Sequence, residues 1–318
     1  KQKTAYEISL GLVGSEMCIR DRFCVGSLLI GLFNGFGQFY RFAAADAATE
    51  AYRSRAISWV LAGGIVAAFV GPNLATWSQH LIVGTRFAGS YASLLVLYLL
   101  SLGLIVWIRI PKPSAEERSQ IGRPLSQIVM QPIFVVAALS AVAAYSVMNL
   151  IMTSTPLAMD GYGHHFEQTA WVIQWHILGM YAPSFVTGHL IRRFSCTRVM
   201  IVGTFLLGLC VAVNLHGQSV QHFWFSLVLL GLGWNFLFIG GTTLVTEAYL
   251  PAEKAKTQGL NDFLVFGMVA LTALTSGVLH QWLGWLTLNI VVAPMIFAAL
   301  IAVVWLDRVQ NRVLSPSG

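Results

Sequence analysis

Nine stretches of this sequence are apolar over about 20 residues, the length an α-helix needs to cross the hydrocarbon core of a bilayer. They fall at 23–49, 56–76, 87–110, 133–157, 168–191, 199–215, 223–246, 258–280 and 286–306. A lipid-embedded backbone must satisfy its own N–H and C=O groups, so a helix is the form each run can take. Composition agrees: 56% of the 318 residues are hydrophobic and 10% are charged, against about 25% charged in a soluble domain. The chain is expected to be an all-α, polytopic membrane protein, with the lipid bilayer as its outer solvent.

The net charge of +6 does not point to nucleic acid, because the basic residues sit in short turns between apolar runs. They fall almost wholly on alternate connections: Arg53, Arg55, Arg109, Lys112, Arg118, Arg123, Arg192, Arg193, Arg198, Lys254 and Lys256, then Arg308 and Arg312 in the tail. The other connections carry only Arg86. Basic loops stay inside, so the first run is expected to enter from outside and the C-terminus to be cytoplasmic. Trp77, Trp171, Trp224, Trp282 and Trp285 then fit an outer aromatic belt, and Trp107 and Trp305 an inner one.

The connection 111–131 differs from the rest. It carries Lys112, Glu116, Glu117, Arg118, Arg123 and three prolines, and reads as a polar cytoplasmic linker between two bundles. The sequence on either side repeats itself in the same sense. Leu29, Gly31, Leu32 and Phe36 overlie Leu229, Gly231, Leu232 and Phe236, and Glu50-Ala51-Tyr52 returns as Glu247-Ala248-Tyr249. Two related membrane halves are a common plan for secondary transporters.

Residues 1–22 are set apart. Reverse-translated, Lys1–Glu7 and the stretch from Leu12 to Asp21 fit the two parts of a short-read library adapter, so this segment is expected to be a translated scar and not native. Nine spans starting outside are awkward. Three further helices before Phe23 would give twelve, with the basic linker after the sixth.

On these features the chain resembles the major facilitator superfamily. Gly188-His189-Leu190-Ile191-Arg192-Arg193 is similar to the C-terminal-half copy of its Gly-x-x-x-Asp-Arg-x-Gly-Arg-Arg loop, although 189–191 lack the acid. Gly63-Gly64 through Gly71-Pro72 is similar to its antiporter motif, without the trailing glycines. Tyr-Arg-Phe-Ala-Ala-Ala-Asp and Gly-Leu-Asn-Asp-Phe-Leu resemble a bacterial branch in which some members are assigned to riboflavin uptake. The resemblance implies a two-bundle fold with family helices 4–6 at 23–110, the linker at 111–131, helices 7–12 at 132–307 and a cytoplasmic tail at 308–318. It also implies a monomer in the bacterial inner membrane. It fixes neither substrate nor direction.

Polar residues inside the spans are the candidate site. Asn34, Gln38 and Arg41 share one helix face, and an arginine facing lipid there costs about 2.5–3.5 kcal/mol, so that face meets protein or water. Either it serves a solute pathway, or Arg41 snorkels inward. Asn235 falls where the repeat places the partner of Asn34. Trp234 and Trp175 are deep enough either to stack on a flat solute or to pack between helices. His176 is a packing residue or a proton carrier. The resemblance adds Asn149 to the cavity wall. These seven (Asn34, Gln38, Arg41, Asn149, Trp175, Trp234 and Asn235) form the expected solute site. Asp46, Glu50, His176, Arg192, Arg193, Glu247 and Asp262 are the coupling or gate candidates. The resemblance implies that Glu247 pairs with Arg192 or Arg193. Gly63, Ala67 and Gly71 make a smooth face for helix packing, and Pro156, Pro183 and Pro294 are expected kinks.

Other chemistries find little support. His164 and His165 near Asp160 and Glu167 read better as a solvated loop than as a metal site. Cys24, Cys196 and Cys210 show no disulfide or zinc pattern, there is no phosphate-binding Gly-Lys-Ser/Thr loop, and no cofactor is expected. The sequence is therefore expected to encode a secondary transporter, not an enzyme, moving a small organic solute by alternating access with protons. The alternatives are a non-transporting receptor or scaffold on the same fold and, less well supported, a membrane-embedded enzyme.

Overall fold

The computed structural model describes residues 5–78, 80–82, 88–107 and 122–314. Arg86 and most of the polar connection lie outside the described residues. Helix α1 (Ala5–Gln38) runs through Phe23 without a break and is followed after one residue by α2 (Tyr40–Ala47). Ala48 turns extended (φ −96°, ψ 149°) and ends α2. A single 3-10 turn at Glu50–Tyr52 then leads into α3 (Arg53–Ser78), and α4 (Ala88–Trp107) follows.

Beyond the linker come α5 (Leu125–Val129), α6 (Pro132–Gly161), α7 (Phe166–Tyr181), α8 (Ser184–Phe194), α9 (Cys196–His216), α10 (Val220–Glu247), a 3-10 turn at Pro251–Glu253, and α11 (Lys254–Leu314). Local chemistry sets these ends. Pro132 opens α6, where its missing N–H costs nothing, and the Ser219 hydroxyl accepts from the His222 N–H to cap α10. Gly284, at φ 72°, occupies the left-handed region that glycine tolerates best. It divides α11 into arms 254–283 and 285–314.

Hydrogen bonds show how the arms run. Thr197 bonds Asp307 at one end of α9, and Asn214 bonds Asn289 at the other, so the second arm is antiparallel to α9. The first arm starts beside Asp46, with which Lys254 pairs, and reaches Asn149 through Thr272. One end of the molecule thus gathers Lys254, Asp307, Arg192 and the Glu50–Tyr52 turn; Arg192 lies over the Tyr52 ring. This is the basic end.

Among the described residues seven helices are long and apolar enough to cross a membrane, including 29 residues at Ile19–Ala47 and 62 at Pro251–Arg312. The difference from nine apolar runs has two causes. Two runs are joined through Gly284, and the run at 168–191 is split between α7 and α8 at Pro183.

The apolar core lies between α6, α9, α10 and the second arm, around Ile151, Leu207, Trp234, Phe238 and Val292, with Phe42 of α2 joining it. Ile57 of α3 packs separately with Ile191 and Val199. Gly188 marks a close approach of the two parts of the chain. A Cβ there would lie 2.7 Å from Arg55 Cα and 2.9 Å from the Ser54 carbonyl oxygen, and Ser54 Oγ donates to the Gly188 carbonyl. The smooth face Gly63–Ala67–Gly71 does not pack as expected: a Cβ on Gly63 or Gly71 meets nothing within 4 Å. The packed glycine is Gly64, against Tyr181 of α7. Trp285 is buried rather than part of a belt, whereas Trp77, Trp107 and Trp282 are exposed.

Candidate functional site

Arg41 is the hub of the site. It lies on α2, is 2% exposed, and forms an ion pair with Asp262 on the first arm of α11, Nη2 to Oδ1 at 2.5 Å. Its Nη1 donates to Gln38 Oε1 at 2.6 Å. Its guanidinium carbon sits 4.6 Å from the centre of the Phe42 ring and 4.7 Å from that of Phe238. Charge, hydrogen bonds and two aromatic faces therefore replace the lost water. Asn261 Nδ2 also donates to Asp262 Oδ1.

Around this pair is a box of aromatic rings. Tyr145 of α6 lies 5.2 Å from Trp234, 5.0 Å from Phe238 and 5.4 Å from Phe266, each edge-on, and Trp234 stacks on Phe238. Trp234 is 1% exposed, so the rings fill the box themselves. A groove of about 620 Å³ runs beside it between α1 and the first arm, lined by Gln38, Asp262, Phe39, Phe263 and Phe266 among others.

The other expected site residues separate into groups. Asn34 is exposed and does not join Arg41. Asn149 donates to Thr272 Oγ1 at 2.9 Å, holding α6 to the first arm. Trp175 is 39% exposed and belongs to an outward-facing cluster with Trp171 and Trp224. His176 is buried and bonds the Leu227 carbonyl through Nδ1, which ties α7 to α10.

Asn235 does not face Asn34. Pro183 lacks an N–H and interrupts the ladder between α7 and α8. Asn235 Nδ2 donates to the Met180 carbonyl and to Ser184 Oγ, both at 2.6 Å, while its Oδ1 accepts from Thr187 at 2.7 Å. It staples the proline break from α10.

The gate candidates also rearrange. Glu247 does not pair with Arg192 or Arg193 among the described residues. Its charged neighbours are Arg53 and Glu50, whereas Arg192 lies over Tyr52 and Arg193 over Phe194. Those arginines are exposed in the last turn of α8. Glu50 is exposed in its 3-10 turn. Asp46 instead pairs with Lys254, a contact that no spacing in the sequence indicates.

At the same end, Arg123 donates through Nε and Nη2 to the two oxygens of Glu253, and its own N–H bonds Glu253 Oε1. These bonds hold the Glu253 carboxyl down to about 2, far below the usual carboxylate range. Glu253 precedes the apolar part of α11.

Toward the basic end the two parts of the chain are joined by Arg41–Asp262, Asp46–Lys254 and the Gly188 contact. At the opposite end a cleft of about 770 Å³ opens between α3, α6 and α7, lined by Asn73, Asp160, Glu167, Trp171 and Gln174 among others. That volume is typical of a small-molecule site. Among the described residues no three His, Cys, Asp or Glu side chains converge as metal ligands.

The family model of the Major Facilitator Superfamily matches residues 137–318. The chain is 43% identical over 284 residues to the riboflavin transporter RfnT of Brucella anthropi, covering 89% of this chain and 71% of that protein. It is similar to two Bacillus subtilis proteins described as uncharacterized MFS-type transporters. YddS is 30% identical over 86% of this chain and 66% of its own length, and YdeG 31% over 83% and 65%. The chain thus spans about two thirds of the length of these relatives. With its apolar helices and these relatives, the chain belongs to the major facilitator superfamily, a family of multi-pass membrane transporters of small solutes rather than of enzymes.

Proposed function

We propose that the protein carries a flat, neutral solute of the riboflavin type across the bacterial inner membrane by alternating access, as a monomer coupled to protons, with its C-terminus in the cytoplasm. The observation that carries this reading is the Arg41–Asp262 ion pair, which joins α2 to the first arm of α11 toward the basic end. Buried charge at membrane depth is costly and is kept where it moves ions or substrate. The carboxylate cancels the arginine's charge, so the site suits a neutral solute better than an anion. The basic connections favour a cytoplasmic side for the basic end, and the cleft at the other end then faces outside. Asp46–Lys254 and the Gly188 contact serve as the inner gate, in the role first expected of Glu247 with Arg192 or Arg193. The substrate class rests on the relative named as a riboflavin transporter.

The test is uptake of labelled riboflavin by a riboflavin-requiring bacterium that lacks its own uptake protein and expresses the whole gene. Saturable uptake, abolished by a protonophore, is expected. Background uptake with the protein present in the membrane would overturn the substrate, and uptake indifferent to the protonophore would overturn the coupling.

A further inference from the structure

The Arg41 cluster has hydrogen-bonding capacity that the described protein groups do not use. Arg41 spends Nη1 on Gln38 and Nη2 on Asp262, while its Nε–H has no acceptor among the described residues. Asp262 Oδ1 accepts from both Arg41 and Asn261, while Oδ2 accepts from nothing described. Asn261 Oδ1 is likewise unmet. All three residues are more than nine-tenths buried, at 2%, 2% and 7% exposure for Arg41, Asn261 and Asp262. An unmet buried polar atom costs about 1–3 kcal/mol. Three around one ion pair call for a common partner.

We propose, building on the transport reading above, that Arg41, Asn261 and Asp262 form a subsite for the imide edge of a flat heterocycle. The unmet donor and the nearest unmet acceptor match one carbonyl and the N–H of that edge. A ring N–H donates to Asp262 Oδ2, the neighbouring ring carbonyl accepts from Arg41 Nε–H, and Asn261 Oδ1 takes a second donor such as a hydroxyl. The ion pair carries no net charge, which matches a neutral edge. Asp262 and Gln38 line the groove beside the pair, and Phe39, Phe263 and Phe266 give it aromatic walls on which a flat ring can stack. A site built to pair with an N–H rejects an analogue that lacks it, because its own acceptor is then stranded.

The experiment measures binding of riboflavin and of N3-methylriboflavin to the purified protein from the whole gene, by quenching of flavin fluorescence. Methylation removes the imide proton and leaves the ring system intact. Binding should weaken by at least about tenfold on methylation, the loss of one hydrogen bond to a charged group. In the double variant Arg41→Gln/Asp262→Leu, which drops both charges and removes the acceptor, the two flavins should bind within about threefold of each other. Equal binding of the two flavins to the unaltered protein overturns the subsite, and so does binding of neither. Discrimination that persists in the double variant overturns it as well. Riboflavin uptake is read separately. Discrimination in binding without uptake sinks the transport reading and leaves the subsite standing. Uptake without discrimination does the reverse.

Discussion

Asn235 and the Arg41–Asp262 pair are both buried polar groups deep in apolar helices, and they differ in what is left over. Asn235 uses both ends of its amide on one task, the repair of the break at Pro183. The pair uses only part of its capacity, and Arg41 Nε, Asp262 Oδ2 and Asn261 Oδ1 remain unmet. A polar group that is fully satisfied within the protein holds the fold together. One with capacity to spare is arranged for something that comes and goes. Depth in the span does not separate the two cases, but the accounting of hydrogen bonds does.

The largest effect is expected at the pair. Asp262→Leu leaves Arg41 buried without its counter-charge and should cost about 3–5 kcal/mol. Arg41→Gln added to it should recover part of that in a detergent melt, while transport stays absent in both. Additive losses would show that the two side chains do not depend on each other.

Asn235→Leu should come next, at about 1–3 kcal/mol for the stranded carbonyl of Met180. Uptake should fall only in proportion to the folded protein remaining, without a change in apparent affinity. A selective loss of affinity at equal folded protein would place Asn235 in the solute path after all and break the contrast.

Smaller again is the rim contact. Asp46 and Lys254 are about a fifth to a third exposed, so either alanine substitution should change stability by less than about 1 kcal/mol. It should instead favour inward opening, read as faster labelling of a cysteine placed at Ser54. Unchanged labelling would remove this pair from the gate.

A separate effect is read through pH. Glu253 has its carboxyl lowered by Arg123 to about 2 in the folded protein, against about 4.3 when unfolded. Its contribution is present above the unfolded value and is lost as pH falls toward the folded one. The gap in melting midpoint between the parent and Glu253→Gln should therefore be flat from pH 5 to 8 and shrink below about pH 4. A gap that varies near neutrality would show the pair is not held as described.

Much of this could be read from the residues. Apolar length gave the helices, and the cost of a charge in lipid singled out Arg41 before any partner was known. Its partner is 221 residues away, and Asp262 and Gln38 both stand out in the sequence as polar residues within the spans, but periodicity carries no information on which faces of distant helices meet. The repeat misled at Asn235 for a related reason. It aligns positions, while the proline break, present in α7/α8 at Pro183, decides where the amide is needed. The pairing of Glu247 with Arg192 or Arg193 rests on a motif whose acid this chain lacks at 189–191, and the ion pair found at the basic end is Asp46–Lys254 instead. Trp234 and Trp175 have the same composition and similar depth. Only packing shows that one is sealed in the aromatic box and the other lies in an outward-facing cluster.

The most direct test of the account is riboflavin uptake by Arg41→Lys and Arg41→Ala at equal amounts of membrane protein. Lysine keeps the charge but loses the planar fork that spans Gln38 and Asp262 and presents Nε. The account predicts reduced flux for lysine and none for alanine. Parental flux in Arg41→Ala would contradict it and leave Arg41 as a structural residue.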